Sequence, residues 1–222
     1  MEQNINKSTE IFDDRLNKIE HYEKFPSMRP FIGKNFGKYN SKKIMLIGES
    51  HYLPPKSTVS KNSENWYSSS ESDLNSEEIA WINTRNILGG DWKSNGHMIF
   101  RELNTRMSEF MNVEKFRAMT NVAFMNGFQR PAPETGGSIK NFCKPIDFKT
   151  GAKTIKEVVS IIEPDLVIFV SKLSWDKLRY DSQKSELEVK YDFVCHPGTG
   201  GRYWHNKNYQ HGLTKFKSLI EK

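Results

Sequence analysis

Lys43-Ile44-Met45-Leu46-Ile47-Gly48-Glu49-Ser50-His51-Tyr52 sets a compact apolar run directly against a polar turn led by glycine. A short apolar run that ends in turn residues reads as a strand buried on both faces. The same grammar returns near the end of the chain. The aromatic and β-branched stretch Tyr191-Asp192-Phe193-Val194-Cys195 runs into His196-Pro197-Gly198-Thr199-Gly200-Gly201. Between them, Asp165-Leu166-Val167-Ile168-Phe169-Val170 is the clearest buried strand of the chain, and Ala118 to Phe124 reads as a short strand carrying Asn121. Strands alternating with helical patterns predict an α/β fold: a single three-layer α/β/α domain around a parallel sheet of about four strands. In open sheets of this kind ligands bind outside the carboxyl ends of the strands, so the two polar, glycine-rich turns mark a candidate site.

The helical patterns fill the intervals. Gly151 to Ile162 presents Ile155, Val158, Val159 and Ile162 on one face and stops at Glu163-Pro164. Gly96 to Met111, Lys172 to Arg179 and Gln210 to Ile220 read as further helices, and Ser76 to Leu88 as another, capped by Ser76. An amphipathic helix over Ser8 to Tyr22 and irregular chain over Pro26 to Asn40 form a lead-in, residues 1–40, to a domain of residues 41–222. The serine- and asparagine-rich segment from Leu53 to Ser72 reads as a long loop, and Gly127 to Gly137, with Arg130-Pro131-Ala132-Pro133, as a second one.

A chain of 222 residues suits one domain, and 14 Phe, 8 Tyr and 5 Trp supply an aromatic core despite 36% hydrophobic content. The excess of 33 Lys and Arg over 27 acids gives a net charge of +6, which favours a polyanionic partner. Two cysteines, Cys143 and Cys195, exclude a four-cysteine cluster. Cys195, His196, His205 and His211 lack a familiar zinc spacing, so no metal and no cofactor is expected. Without a long apolar run the chain is expected to be a soluble, cytoplasmic protein with no membrane partner.

Four segments in order carry a resemblance: Ile47-Gly48-Glu49-Ser50-His51-Tyr52, Thr120-Asn121-Val122 with Arg130-Pro131, Glu163-Pro164-Asp165-Leu166-Val167-Ile168, and His196-Pro197-Gly198. In their order and rough spacing, from about Lys43 to Trp204, they resemble the uracil-DNA glycosylase superfamily. Its members carry Gly-Gln-Asp-Pro-Tyr-His or Gly-Glu-x-Pro-Gly after the first strand, a strand-borne Asn, and a late His-Pro-Ser. The resemblance implies a three-layer sandwich and a DNA-repair hydrolase that extrudes a damaged base and hydrolyses its N-glycosidic bond. It gives catalytic roles to Glu49, Ser50 and His196. Asn121 would read the base edge, His196 would donate to the base oxygen, and Tyr52 would bar the thymine methyl group. Gly48, His51, Gly198, Gly200 and Arg202 would complete a substrate-binding rim, the last three at a phosphate. The chain departs from the pattern at Ser50, at His51 in place of Pro, and at Gly198 in place of Ser, leaving Glu49 to position water.

Other readings of the same residues stay open. Glu49 and Ser50 also suit a cap on the turn after the first strand, and His196 also suits a structural hydrogen bond. Trp66, Tyr67 and Trp204 serve either as stacking platforms or as packing, and Lys42, Lys43, Lys140, Lys144, Lys149 and Lys153 either as a phosphate track or as solvated charge. The alternative function is a catalytically inactive nucleic-acid or nucleotide-binding protein of the same fold, and a third is a hydrolase of small nucleosides.

Overall fold

A computed structural model describes residues 7–93, 95–183 and 188–221. Its sheet consists of β1 (Phe31–Ile32), β2 (Ile44–Gly48), β3 (Val122–Asn126), β4 (Leu166–Phe169) and β5 (Lys190–Phe193), in the spatial order β1-β3-β2-β4-β5. β3, β2, β4 and β5 are mutually parallel, and β1 is antiparallel to β3. The described helices are α1 (Asp13–Leu16), α2 (Glu20–Lys24), α3 (Ser63–Ser68), α4 (Ser76–Ile82), α5 (Thr84–Gly89), α6 (Met98–Met111), α7 (Pro145–Ile162), α8 (Lys172–Ser182) and α9 (Leu213–Glu221).

Every residue of β2 and β4 is buried, as their unbroken apolar runs require of strands covered on both faces. Successive side chains alternate between two cores. Ile44, Leu46, Phe124 and Ile168 pack with Leu103, Met107 and Phe216 of α6 and α9. Met45, Ile47, Met125 and Phe169 pack with Ile155, Val158 and Leu178 of α7 and α8. Helices on both faces of a central sheet make an α/β fold compatible with a three-layer α/β/α sandwich. None of the described helices is long and apolar enough to cross a membrane.

Local chemistry sets the boundaries, and in several places it differs from the sequence expectation; α7, for one, starts at Pro145 rather than Gly151. The lead-in forms two short helices and then β1, and it contributes Leu16, Tyr22, Phe25 and Met28 to the core. The segment expected as loop contains α3, whose exposed amides at Glu64 and Asn65 donate to the Asn62 side chain. The helix expected over Ser76 to Leu88 is two helices. Asn75, not Ser76, caps α4, and Asn83 restarts the chain by accepting from the Asn86 N–H. The strand expected over Ala118 to Phe124 begins four residues later, because Ala118 to Asn121 belong to a 3-10 turn.

Candidate functional site

The chain leaves β2 for β3 on one side and later crosses to β4 on the other, so the crevice at the carboxyl ends of β2 and β4 is a topological switch point. Glu49 and Ser171 meet there. The Ser171 hydroxyl donates to Glu49 Oε2 at 3.1 Å, while Ser138 Oγ and the Ile139 N–H donate to Oε1 at 2.7 and 3.2 Å. One half-buried carboxylate thus ties the end of β2, the start of α8 and the loop before α7. After it the turn runs beside the chain that follows β3. The Phe128 N–H donates to the Glu49 carbonyl, and the Ala132 N–H to the His51 carbonyl, each at 2.9 Å.

Gly48 is required by a close approach: a Cβ there would lie 2.5 Å from Asn126 Oδ1 and 2.8 Å from Phe124 Cζ. The bare backbone lets Asn126, the register partner of Gly48, lay its side chain across the end of β2. Asn126 is half-buried, and its amide makes no hydrogen bond among the described residues.

From the end of β5 comes His196. Its Nδ1 accepts the Gly198 N–H at 3.0 Å, so in the neutral ring the proton sits on Nε2. Burial pushes the His196 pKa below the usual 6.5, and the nearby Glu49 carboxylate opposes that shift without reversing it. Glycine at 198 keeps this contact relaxed, since a Cβ would sit 3.0 Å from the ring's Nδ1 and Cε1. Tyr52 belongs to the same neighbourhood: burial first, then the Glu49 carboxylate, raises its phenol pKa.

Glu49, Tyr52 and His196 therefore share one rim. Asn121 does not. It ends the turn that enters β3, at the amino edge of the parallel sheet, and its amide donates to the Ala118 carbonyl at 3.3 Å. The asparagine at the carboxyl edge is Asn126, which lies two residues beyond the expected strand end at Phe124. The legible signal was the Asn126-Gly127 pair closing an apolar run, which marks a strand end.

Ser50 and His51 turn inward. Ser50 Oγ and His51 Nε2 are buried and lack a hydrogen-bond partner, and burial drives the His51 pKa down to about 3. Such a ring is neutral and only 4% exposed. Gly198, Gly200 and Arg202 lie on the 3-10 turn Pro197–Arg202, where Arg202 is exposed with its guanidinium 5.3 Å from the Tyr203 ring centre.

Arg130 is a structural organiser. It is 1% exposed and forks onto the Asp147 carboxylate through Nε at 2.6 Å and Nη2 at 3.1 Å. Its other N–H groups reach the carbonyls of Lys61, Pro131 and Phe142. Trp66 and Trp204 are fully buried, the first stacked on Phe25 and bonded to the Gln129 carbonyl, the second bonded to Glu102. Tyr67 donates to Asp147 at 3.0 Å, so all three aromatics weighed as platforms are packing.

The residues weighed as zinc ligands go separate ways. His205 faces Glu102 at 3.4 Å and the His211 ring lies tilted against Phe193 at 4.3 Å between centroids, and among the described residues no three His, Cys, Asp or Glu side chains converge. Two surface clefts, of about 250 and 340 Å³, lie beside the rim rather than on it: one between α2 and α7, the other between residues 61–63 and the 133–144 loop. Compared with known families and curated proteins, the chain matches no family model and no curated protein.

Proposed function

We propose that the protein is a DNA N-glycosidase with a uracil-DNA glycosylase-like fold, acting on uracil or another deaminated base. One observation carries the reading. At a switch-point crevice, a neutral histidine whose Nδ1 is tied to backbone keeps its Nε2 proton for a ligand, within electrostatic reach of the Glu49 carboxylate. N-glycosidic hydrolysis asks for these two groups. As the C1′–N bond breaks, the base gathers negative charge on its oxygen, and a fixed N–H donor stabilises it. The sugar becomes an oxocarbenium ion, which a carboxylate stabilises while it takes a proton from the attacking water. The water oxygen ends on C1′, and the base leaves with the bonding pair.

The Asn126 amide supports the reading because it is unspent and offers both a donor and an acceptor, as reading a pyrimidine edge requires. Here it takes the role that the resemblance gives to a strand-borne asparagine. Tyr52 stands beside Glu49, where its ring would crowd a methylated base. The partner is DNA, whose charge complements the +6 chain.

A second reading is favoured by the Glu49 carboxylate itself, which already accepts three protein hydrogen bonds and fastens three segments without any chemistry. On that reading the protein is a catalytically inactive binder of nucleic acid or nucleotide. Oligonucleotides bearing uracil, hypoxanthine or xanthine, single- and double-stranded, separate the two. Base release that is abolished in Glu49→Gln and His196→Ala supports the glycosidase. Salt-sensitive binding with no release from any substrate supports the binder.

A further inference from the structure

The loop that delivers Ser138 and Ile139 to Glu49 also walls a cleft of about 340 Å³, closed on its far side by residues 61–63. Asn141 lines the cleft three residues beyond Ser138, a separation of at most about 11 Å along the chain. A strand lying on the rim is within reach of it.

The chemistry of the lining is selective. One carboxylate, Glu64, stands beside the lining: its Oε2 accepts from the Ser63 hydroxyl at 2.9 Å and feels the Lys144 charge. Arg130 is fully spent on protein acceptors, so the positive charge open to a ligand comes from Lys61 and, offset in part by Glu64, from Lys144. Lys61 Nζ gives one of its donors to the Pro133 carbonyl at 3.1 Å, which holds the ammonium at the cleft wall with donors to spare. The Lys144 side chain is exposed and joins no ion pair among the described residues. Phe142 lines the same cleft with its ring 45% exposed. Its backbone is pinned because Arg130 Nη2 donates to its carbonyl at 2.7 Å, so the ring is presented from a fixed point. Asn62 and Asn141 add amides at the edges.

Two ammonium groups, a pinned exposed aromatic ring and edge amides, in a cavity at the small end of ligand sites, form a stacking-plus-phosphate arrangement. We propose that this cleft holds the backbone and one unpaired base of the DNA strand that flanks the processed nucleotide. The identity of the strand as DNA rests on the glycosidase reading; the cleft's preference for an unpaired nucleotide rests on Phe142, whose ring can stack only on a base released from its neighbours.

The test uses the full chain and a labelled oligothymidylate without uracil, followed by fluorescence anisotropy across a salt series. Lys61→Gln with Lys144→Gln is expected to weaken binding at least 10-fold near 0.1 M salt and to flatten the salt slope by about 1.4, roughly 0.7 per lost phosphate contact. Phe142→Ala is expected to weaken it about 5-fold or more with the slope unchanged. Unchanged circular dichroism shows that the variants are folded. Wild-type affinity and slope in both variants would overturn the proposal, even if the protein releases uracil. Variant-sensitive binding without base release from any substrate would leave the cleft standing and remove the glycosidase reading.

Discussion

His196 keeps its useful proton because a backbone N–H two residues on occupies the other nitrogen at 3.0 Å. A donor held this way costs no reorganisation when charge develops on the leaving base, and losing one such donor typically slows a reaction about 10²- to 10³-fold. His196→Ala is therefore expected to reduce single-turnover base release by that factor while oligonucleotide affinity stays within about threefold, since only the transition state uses the bond. Glu49 and His196 follow closely on apolar runs, where a strand end is easy to see, and Tyr52 was placed by the resemblance. Asn126 was missed. Ala118 and Met119 are as apolar and as buried as the true strand residues, so periodicity alone cannot say that they belong to a turn packed under α6. The inward turn of Ser50 Oγ and His51 Nε2 was not legible either, because polar type does not report which way a turn faces.

Elements are joined at the site by Arg130 and Asp147, an ion pair with almost no exposure that holds the 61–63 segment, the 133–144 loop and the first turn of α7 together. Asp147 also accepts from the Tyr67 hydroxyl and from the Lys144 N–H. Arg130→Met leaves a carboxylate buried without its counter-charge, and equilibrium unfolding is expected to show a loss of about 3–5 kcal/mol. Tyr67→Phe removes one neutral donor and is expected to cost about 1–2 kcal/mol in the same measurement. The strands β2, β4 and β5 and the helices α6, α8 and α9 were readable within about three residues because length and period agree there, whereas α7 starts six residues before the expected Gly151. The break between α4 and α5 turns on the Asn83 side chain, and the two-residue β1 is too short for any period to register. The first is a local cap inside a continuous helical pattern, and the second exists through its pairing with β3.

The whole molecule carries two cores, one on each face of the sheet, and two histidines are sealed against one of them. His21 and His51 are 6% and 4% exposed, and burial holds each near a pKa of about 3 rather than 6.5. The unfolded chain binds protons in that interval and the native chain does not. Stability is thus full above about pH 6.5 and falls as the pH drops towards 3, by roughly 2 kcal/mol per histidine between pH 7 and pH 5. Urea titrations of the wild type and His51→Gln at these two pH values are expected to differ in their acid-induced loss by that amount. A shared acid response in both proteins would mean that His51 charges freely in the fold. At the same scale, the proposed glycosidase chemistry belongs to the carboxyl edge of the sheet. Single-turnover base release from a uracil oligonucleotide by Asn126→Ala and Asn121→Ala tests this placement. At least a 10-fold loss is expected for Asn126→Ala and, per folded molecule, a wild-type rate for Asn121→Ala. A wild-type rate in Asn126→Ala, or a selective loss in Asn121→Ala, would contradict it.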